Sequence, residues 1–75
     1  MIRIKNILAD DVFGRWHVKT IIVTRDKQHF AFSPEKQGFT CKDDAEQHAR
    51  VRAQGFLQRR LGWISGEIIW DVVPA

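Results

Sequence analysis

Residues 38–62 constrain the fold most strongly, because their pattern is typical of one long amphipathic helix. Thr40 can cap the first backbone N–H groups, and Gly62 is a residue type that often ends helices. Acidic residues occupy the first turns and arginines the last, as the helix dipole favours. The apolar positions recur at helical spacing and form one narrow stripe: Ala45, Ala49, Ala53, Phe56 and Leu57. Three alanines in this stripe predict close packing against a flat partner, and a β-sheet is the simplest such surface.

Four other segments have the composition of β-strands: residues 2–8, 16–24, 29–33 and 67–73. The order is therefore β-β-β-α-β, and the short connections favour antiparallel pairing. We predict a single small α+β domain over residues 1–75, in which one helix packs across one face of an antiparallel sheet of three or four strands.

Alternation assigns side chains to the two faces of this sheet. In the first strand, Ile2 and Ile4 should face the helix, and Arg3 and Lys5 should face away from it. In the second strand, His17 and Lys19 can join Arg3 and Lys5. A tight turn before the third strand predicts two cross-strand pairs, Val23 with Phe30 and Ile21 with Phe32.

Several classes of protein are disfavoured. The chain opens with alternating residues and has no long apolar run, so we expect no signal peptide, no membrane partner and a cytoplasmic location. Cys41 is the only cysteine, which excludes an internal disulfide and a cysteine-based zinc site. The histidines, His17, His29 and His48, lack metal-ligand spacing. With no nucleophile motif or phosphate loop either, we predict no catalysis, no metal, no cofactor and no small-molecule substrate.

The positions of the basic residues are more informative than the net charge, which is +3 from twelve basic and nine acidic residues. A cationic sheet face with an aromatic edge can lie against nucleic-acid phosphates. The alternative is that Lys and Arg only protect strand edges from aggregation, and on these residues alone it is the somewhat better explanation. The basic residues of the sheet portion are interleaved with Trp16 and are Arg3, Lys5, Arg15, Lys19, Arg25 and Lys27.

A family resemblance favours the first explanation. FGRWHVKTI at residues 13–21 and GFTCKDDAEQHARVRAQGF at residues 38–56 resemble AP2-type and integrase arm-binding domains. Those domains place a three-stranded sheet in the major groove of DNA and brace it with the C-terminal helix. Residues 67–73 add a strand that the family pattern lacks. The resemblance implies DNA contacts by Arg15, Trp16 and Lys19 on the second strand and by Arg3 and Lys5 on the first.

A second function class is left open by the C-terminal segment, which concentrates large apolar side chains on both faces of a short strand. Such a strand can complete the core, and it can also join two copies of a chain. The leading hypothesis is a non-catalytic domain that binds nucleic acid through a basic sheet face, and double-stranded DNA is the possible partner that we consider first. The alternative is a protein-interaction module, without nucleic-acid binding, that forms a homodimer through Trp63, Ile68, Ile69 and Trp70.

Overall fold

The predicted order of elements is confirmed by the computed structural model, which describes residues 1–63 and 66–75. Three strands are followed by one helix and a fourth strand, so the α+β class is correct. The strands begin and end within two residues of the predicted limits. The elements are β1 (Ile2–Asp10), β2 (Trp16–Val23), β3 (His29–Phe32), α1 (Lys42–Arg60) and β4 (Ile68–Pro74).

The prediction of a purely antiparallel sheet is wrong. The strand order is β3-β2-β1-β4, and β4 runs parallel to β1 while the other pairs are antiparallel. Two hairpins make β3 run in the direction of β1. The 19 residues of α1 span about 28 Å, close to the length of the sheet, and carry the chain back to the end where β1 starts. A strand that begins there must be parallel to β1.

The predicted pairing of β2 with β3 is shifted by one residue. The N–H of Thr24 donates to the carbonyl of Gln28, the N–H of Gln28 donates to Thr24 Oγ1, and the N–H of Lys27 donates to the carbonyl of Thr24, each at 3.0 Å. Lys27 adopts a left-handed conformation with φ 65°. The turn therefore contains three residues, and Ile22 lies opposite Phe30. Because a shift of one residue reverses the faces, Phe30 points to the helix side of the sheet, where its ring centroid lies 5.0 Å from that of Phe56.

The core lies between α1 and the sheet face that it covers. The alanine stripe of α1 is buried, as predicted, and its three methyl groups let the helix approach β1 and β2 closely. The core has two clusters along the strands. One contains Ile4, Ile22, Ala53 and Leu57, and the other contains Leu8, Val18, Ala45 and Ala49.

A polar pair separates these two clusters. Asn6 of β1 and Thr20 of β2 face each other in the sheet and are completely buried. The Thr20 hydroxyl donates to Asn6 Oδ1 at 2.8 Å. Asn6 Nδ2 has no hydrogen-bond partner within residues 1–63 and 66–75. A buried donor without a partner costs about 1–3 kcal/mol, so this pair weakens a core that is already small.

The start of α1 differs from the prediction. Cys41, and not Thr40, occupies the cap position, and no side chain among the described residues makes a capping hydrogen bond there. The acidic first turn, with Asp43 and Asp44, is present as predicted. No helix in the described part of the chain is both long and apolar enough to cross a membrane.

Candidate functional site

The sheet face opposite α1 carries the predicted basic residues of the strands. Arg3 and Lys5 of β1 and Lys19 of β2 are all exposed there. We call this surface the open face. The described residues place no helix or strand over it. Its members are Arg3, Lys5, Ile7 and Ala9 of β1, His17, Lys19, Ile21 and Val23 of β2, His29 and Ala31 of β3, and Ile69, Asp71 and Val73 of β4.

Charged and aliphatic side chains alternate across the open face. Lys5 lies beside Ile21 in the register of β1 and β2, and Lys19 lies beside Ile7. The two isoleucines are half-buried, and stems of long cationic side chains can cover part of such neighbouring apolar surface. The face therefore offers separate cations with aliphatic side chains beside them.

One carboxylate reduces the charge of this surface. Asp71 of β4 lies next to Lys5 of β1, so the strands bring three permanent cations and one anion to the open face. A shallow depression of about 360 Å³ lies at this point. It is lined by Arg3, Lys5, Ile21, Val23, His29 and Asp71.

The remaining predicted basic residues flank the open face. Arg15 directly precedes β2, while Arg25 and Lys27 lie in the turn that follows it, and all three are exposed. They are separated by the length of β2, which is about 27 Å for eight residues. Cationic groups thus extend along β2 from one end to the other.

Trp16 does not belong to this surface. It lies on the covered face, half-buried against the cluster formed by Leu8, Val18, Ala45 and Ala49. The ammonium group of Lys42 lies 5.7 Å from its ring centroid. The structure therefore separates Trp16 from Lys19 and gives it a role in packing the helix on the sheet.

His17 connects the border of the open face to two loops. Its Nε2 lies 2.9 Å from Asp11 Oδ2, and its Nδ1 lies 2.9 Å from the carbonyl oxygen of Glu35. An ionised carboxylate and a carbonyl oxygen only accept hydrogen bonds, so both contacts are satisfied together when both ring nitrogens carry protons. The hydrogen bond to Asp11 is the main cause of a raised pKa at His17, and the same bond lowers the pKa of Asp11. This contact has no signal in the sequence, because its partners come from two loops.

The loop of residues 33–38, which contains Glu35, separates β3 from Phe39, the next residue that pairs with β2. Pairing resumes at Phe39, whose backbone exchanges hydrogen bonds of 2.6 and 2.9 Å with Trp16. Residues 33–38 bulge outward and form an open hollow of about 550 Å³ with His48. Its Glu35 carboxylate is already contacted by His48 at 3.3 Å and by Arg52 at 3.4 Å. These contacts hold the loop on α1, and we assign the hollow no ligand.

The residues predicted for a dimer interface fall into two places. Trp63 packs at the end of α1, where its backbone N–H donates to the carbonyl of Leu57 at 2.9 Å. Ile68 and Trp70 lie on the covered side of β4, and Ile69 lies on the open face. All three are half-buried.

The outer edge of β4 has free backbone groups. Ile2 donates to the carbonyl of Glu67 at 3.3 Å, and Ala75 donates to the carbonyl of Leu8 at 2.8 Å. In a parallel pair this pattern means that β1 bonds to the backbone N–H and C=O groups of the odd-numbered residues of β4. The N–H and C=O groups of the even-numbered residues Ile68, Trp70 and Val72 therefore point away from β1, to an edge with which no other strand of the described chain pairs.

A scan against protein-family models and searches of curated proteins and of solved structures found no match to this chain. The resemblance of residues 13–21 and 38–56 to AP2-type and integrase arm-binding domains stays a prediction. In the structure, the first segment forms the end of the β1–β2 loop and most of β2, and the second contains most of α1.

Proposed function

We propose that this protein is a non-catalytic domain that binds nucleic acid through the open face, and that duplex DNA is the ligand to test first. The observation that carries the proposal is that Arg3, Lys5 and Lys19 project from one uncovered surface of two adjacent strands. Lysine and arginine that neutralise phosphates release counterions, which is the main source of sequence-independent affinity. A cytoplasmic location accords with this function and stays a prediction.

The cationic side chains lie on the two central strands of the sheet. β1 and β2 carry all three strand cations, with β4 beside β1 and β3 beside β2. The major groove of B-DNA is about 12 Å wide, and the proposal places this central pair over it. Ile7 and Ile21 can contact apolar base edges such as the thymine methyl group. Arg15 at one end and Arg25 and Lys27 at the other extend the cationic surface toward phosphates on either side.

The test compares two pairs of substitutions that change the charge equally. Lys5→Gln with Lys19→Gln removes two cations from the open face, and Arg59→Gln with Arg60→Gln removes two from the end of α1. Binding to a labelled random-sequence duplex is measured by fluorescence anisotropy at about 50 mM salt, in the range where phosphate contacts are strong. We expect Kd to rise roughly tenfold for the first pair and much less for the second.

Two results would reject the open face as the binding site. One is the absence of any binding by the unsubstituted protein at the lower salt concentration. The other is an equal loss of affinity in both variants, which would show that only the net charge matters. Circular dichroism of both variants checks that the fold is retained.

The free edge of β4 favours a second candidate function, self-association. Two copies of β4 can pair in antiparallel orientation about a two-fold axis at Trp70, so that Ile68 of each copy lies opposite Val72 of the other. This register joins the outward N–H and C=O groups of three residues and sets Asp71 opposite Ile69, not opposite a second aspartate. Unlike many natural edges, β4 has no lysine to discourage such pairing.

Val72→Lys is the variant that tests self-association, because Val72 is 40% exposed on the free edge. Val51→Lys is the matched control on the outer surface of α1, where Val51 is 59% exposed. We expect sedimentation velocity to show a dimer for the unsubstituted protein and for the control, and a monomer for Val72→Lys. A monomeric unsubstituted protein at high concentration would contradict this candidate.

A further inference from the structure

The β1–β2 turn presents two large apolar side chains to solvent. Val12 is 93% exposed and Phe13 is 85% exposed, more than the other large hydrophobic residues of the described chain. The isoleucines of the open face are half-buried by their neighbours, whereas these two side chains are almost bare. Such exposure on adjacent residues gives no packing energy to the fold and is typical of a binding contact.

The turn itself does not require these residues. Asp11 Oδ1 accepts hydrogen bonds from the backbone N–H groups of Phe13 at 2.8 Å and Arg15 at 3.0 Å. Gly14 donates to the Asp11 carbonyl at 3.1 Å and has φ 76°, which favours glycine. Asp11 and Gly14 therefore specify the turn. Its two central positions tolerate the polar residues that surface turns usually have.

The tip of this turn, formed by Val12 and Phe13, is also fixed in place by side-chain contacts of Asp11. The second carboxylate oxygen of Asp11 binds the His17 ring, and the other nitrogen of that ring binds the carbonyl of Glu35. The turn is thereby fastened to β2 and to the loop of residues 33–38. A side chain on a fixed turn loses little backbone entropy when it binds, so Phe13 is a preorganised anchor.

Two cations of the proposed binding surface lie on the side of the tip that leads into β2. Arg15 follows Phe13 by two residues and Lys19 lies on the open face of β2, whereas Arg3 and Lys5 lie toward the far end of β1. Of the two carboxylates nearby, Asp11 is paired with His17 and Asp10 is exposed. A ligand with negative charge and apolar faces fits this combination.

We propose that Phe13, supported by Val12, acts as an apolar wedge against the bases of nucleic acid bound on the open face. Proteins commonly insert Phe, Leu or Ile between base steps and unstack them, and aromatic side chains stack on unpaired bases. This role rests on the proposed function, because the wedge needs a bound strand. It adds a contact that does not depend on charge.

The experiment separates the wedge from the phosphate contacts by their salt dependence. Kd for a labelled duplex is measured over a range of salt concentrations for the unsubstituted protein, Phe13→Ala, Phe13→Trp and Lys5→Gln with Lys19→Gln. We expect Phe13→Ala to raise Kd about tenfold at every salt concentration without changing the slope of log Kd against log salt. The lysine pair should reduce that slope by about 2, and Phe13→Trp should bind like the unsubstituted protein.

A second readout detects the wedge itself. A duplex that contains 2-aminopurine becomes more fluorescent when the base is unstacked, so the unsubstituted protein and Phe13→Trp should increase the signal and Phe13→Ala should not. Because the Phe13 side chain is 85% exposed, the thermal midpoint of Phe13→Ala should stay close to that of the unsubstituted protein.

The possible failures are distinguishable. Salt-dependent binding that Phe13→Ala leaves unchanged would overturn the wedge and leave the proposed function standing. No binding by the unsubstituted protein would overturn both. Loss of binding to phosphatidylserine vesicles in Phe13→Ala, with unchanged affinity for the duplex, would assign the tip to a lipid surface and overturn the wedge.

Discussion

The two faces of the sheet are built from the same strands and have opposite properties. On β2, Val18 and Ile22 are buried under α1, whereas Lys19 and Ile21, next to them in sequence, lie on the open face. Alternation alone decides which environment a residue enters. The covered face buries its apolar side chains and thereby stabilises a chain of 75 residues. The open face keeps aliphatic and cationic groups available for a ligand.

This difference means that stability and binding can be changed separately. A substitution on the covered face acts on the free energy of unfolding, because it removes packed atoms. A substitution on the open face acts on affinity, because its side chains contact solvent in the free protein. The following predictions test that separation, beginning with the largest expected effect.

Two adjacent isoleucines give the most direct contrast in stability. Ile22→Ala removes a completely buried side chain that packs with Leu57, and we expect a loss of about 2–5 kcal/mol in the free energy of unfolding. Ile21→Ala should cost less than about 1.5 kcal/mol, below the range for core truncations, because Ile21 lies on the open face. Urea denaturation followed by circular dichroism measures both. Equal losses would show that the open face is covered in solution.

The polar pair inside the core gives a smaller effect. Thr20→Val removes the donor to Asn6 and leaves the buried amide without a partner. We expect a loss of about 1–3 kcal/mol in the free energy of unfolding, measured by the same denaturation. Asn6→Leu combined with Thr20→Val should recover most of it, because neither polar group remains. If the double variant is less stable than Thr20→Val, the pair contributes more to the core than its single hydrogen bond indicates.

Alanine substitutions at two glycines, Gly38 and Gly14, test how closely the loop of residues 33–38 approaches His17. A Cβ at Gly38 would lie 2.7 Å from the His17 ring and 3.0 Å from the Trp16 carbonyl oxygen, whereas one at Gly14 would meet no atom within 4 Å. Both residues have positive φ, so alanine is strained at each by about 1–2 kcal/mol. Thermal unfolding should show Gly38→Ala to be less stable than Gly14→Ala. The reverse order would contradict the close contact with His17.

The smallest effect is a dependence of stability on pH. The raised pKa of His17 means that its contribution is complete below the ordinary histidine pKa of 6.5 and is lost as pH rises through the folded value. The lowered pKa of Asp11 means that its contribution is complete above the ordinary value of 3.8 and is lost as pH falls through the folded value. Both contribute fully only between these two ordinary values.

His17→Gln tests this dependence. Thermal midpoints measured from about pH 5 to pH 9, a window that spans histidine titration, should fall for the unsubstituted protein as His17 loses its proton. The variant should show a flatter curve, because glutamine does not titrate. Identical curves would contradict a stabilising contact of protonated His17 with Asp11.

Local patterns predicted the parts of the fold that depend on local chemistry. The alternation of Ile4 with Arg3 and Lys5 assigned the faces of β1, and the alanine spacing identified the buried side of α1. The direction of β4 depends on how far α1 reaches across the sheet. The register of β3 depends on the left-handed conformation of Lys27. Neither of these has a signal in hydrophobic periodicity.

The candidate site was predictable to a similar extent. Lys5 and Lys19 could be placed on one surface because they alternate with apolar residues. The contact of His17 with Asp11 and Glu35 could not, because it joins residues that only tertiary structure brings together. The exposure of Phe13 was also missed, since a phenylalanine in a sequence gives no indication of whether it packs in the core.

Isoleucine methyl NMR tests the central claim most directly, because this residue type lies on both faces. Ile7, Ile21 and Ile69 report on the open face, and Ile4 and Ile22 report on the covered face. On titration with a duplex, the three methyl signals of the open face should shift and the two of the covered face should stay in place. Unchanged signals on the open face, or shifts confined to Ile4 and Ile22, would contradict binding of nucleic acid there.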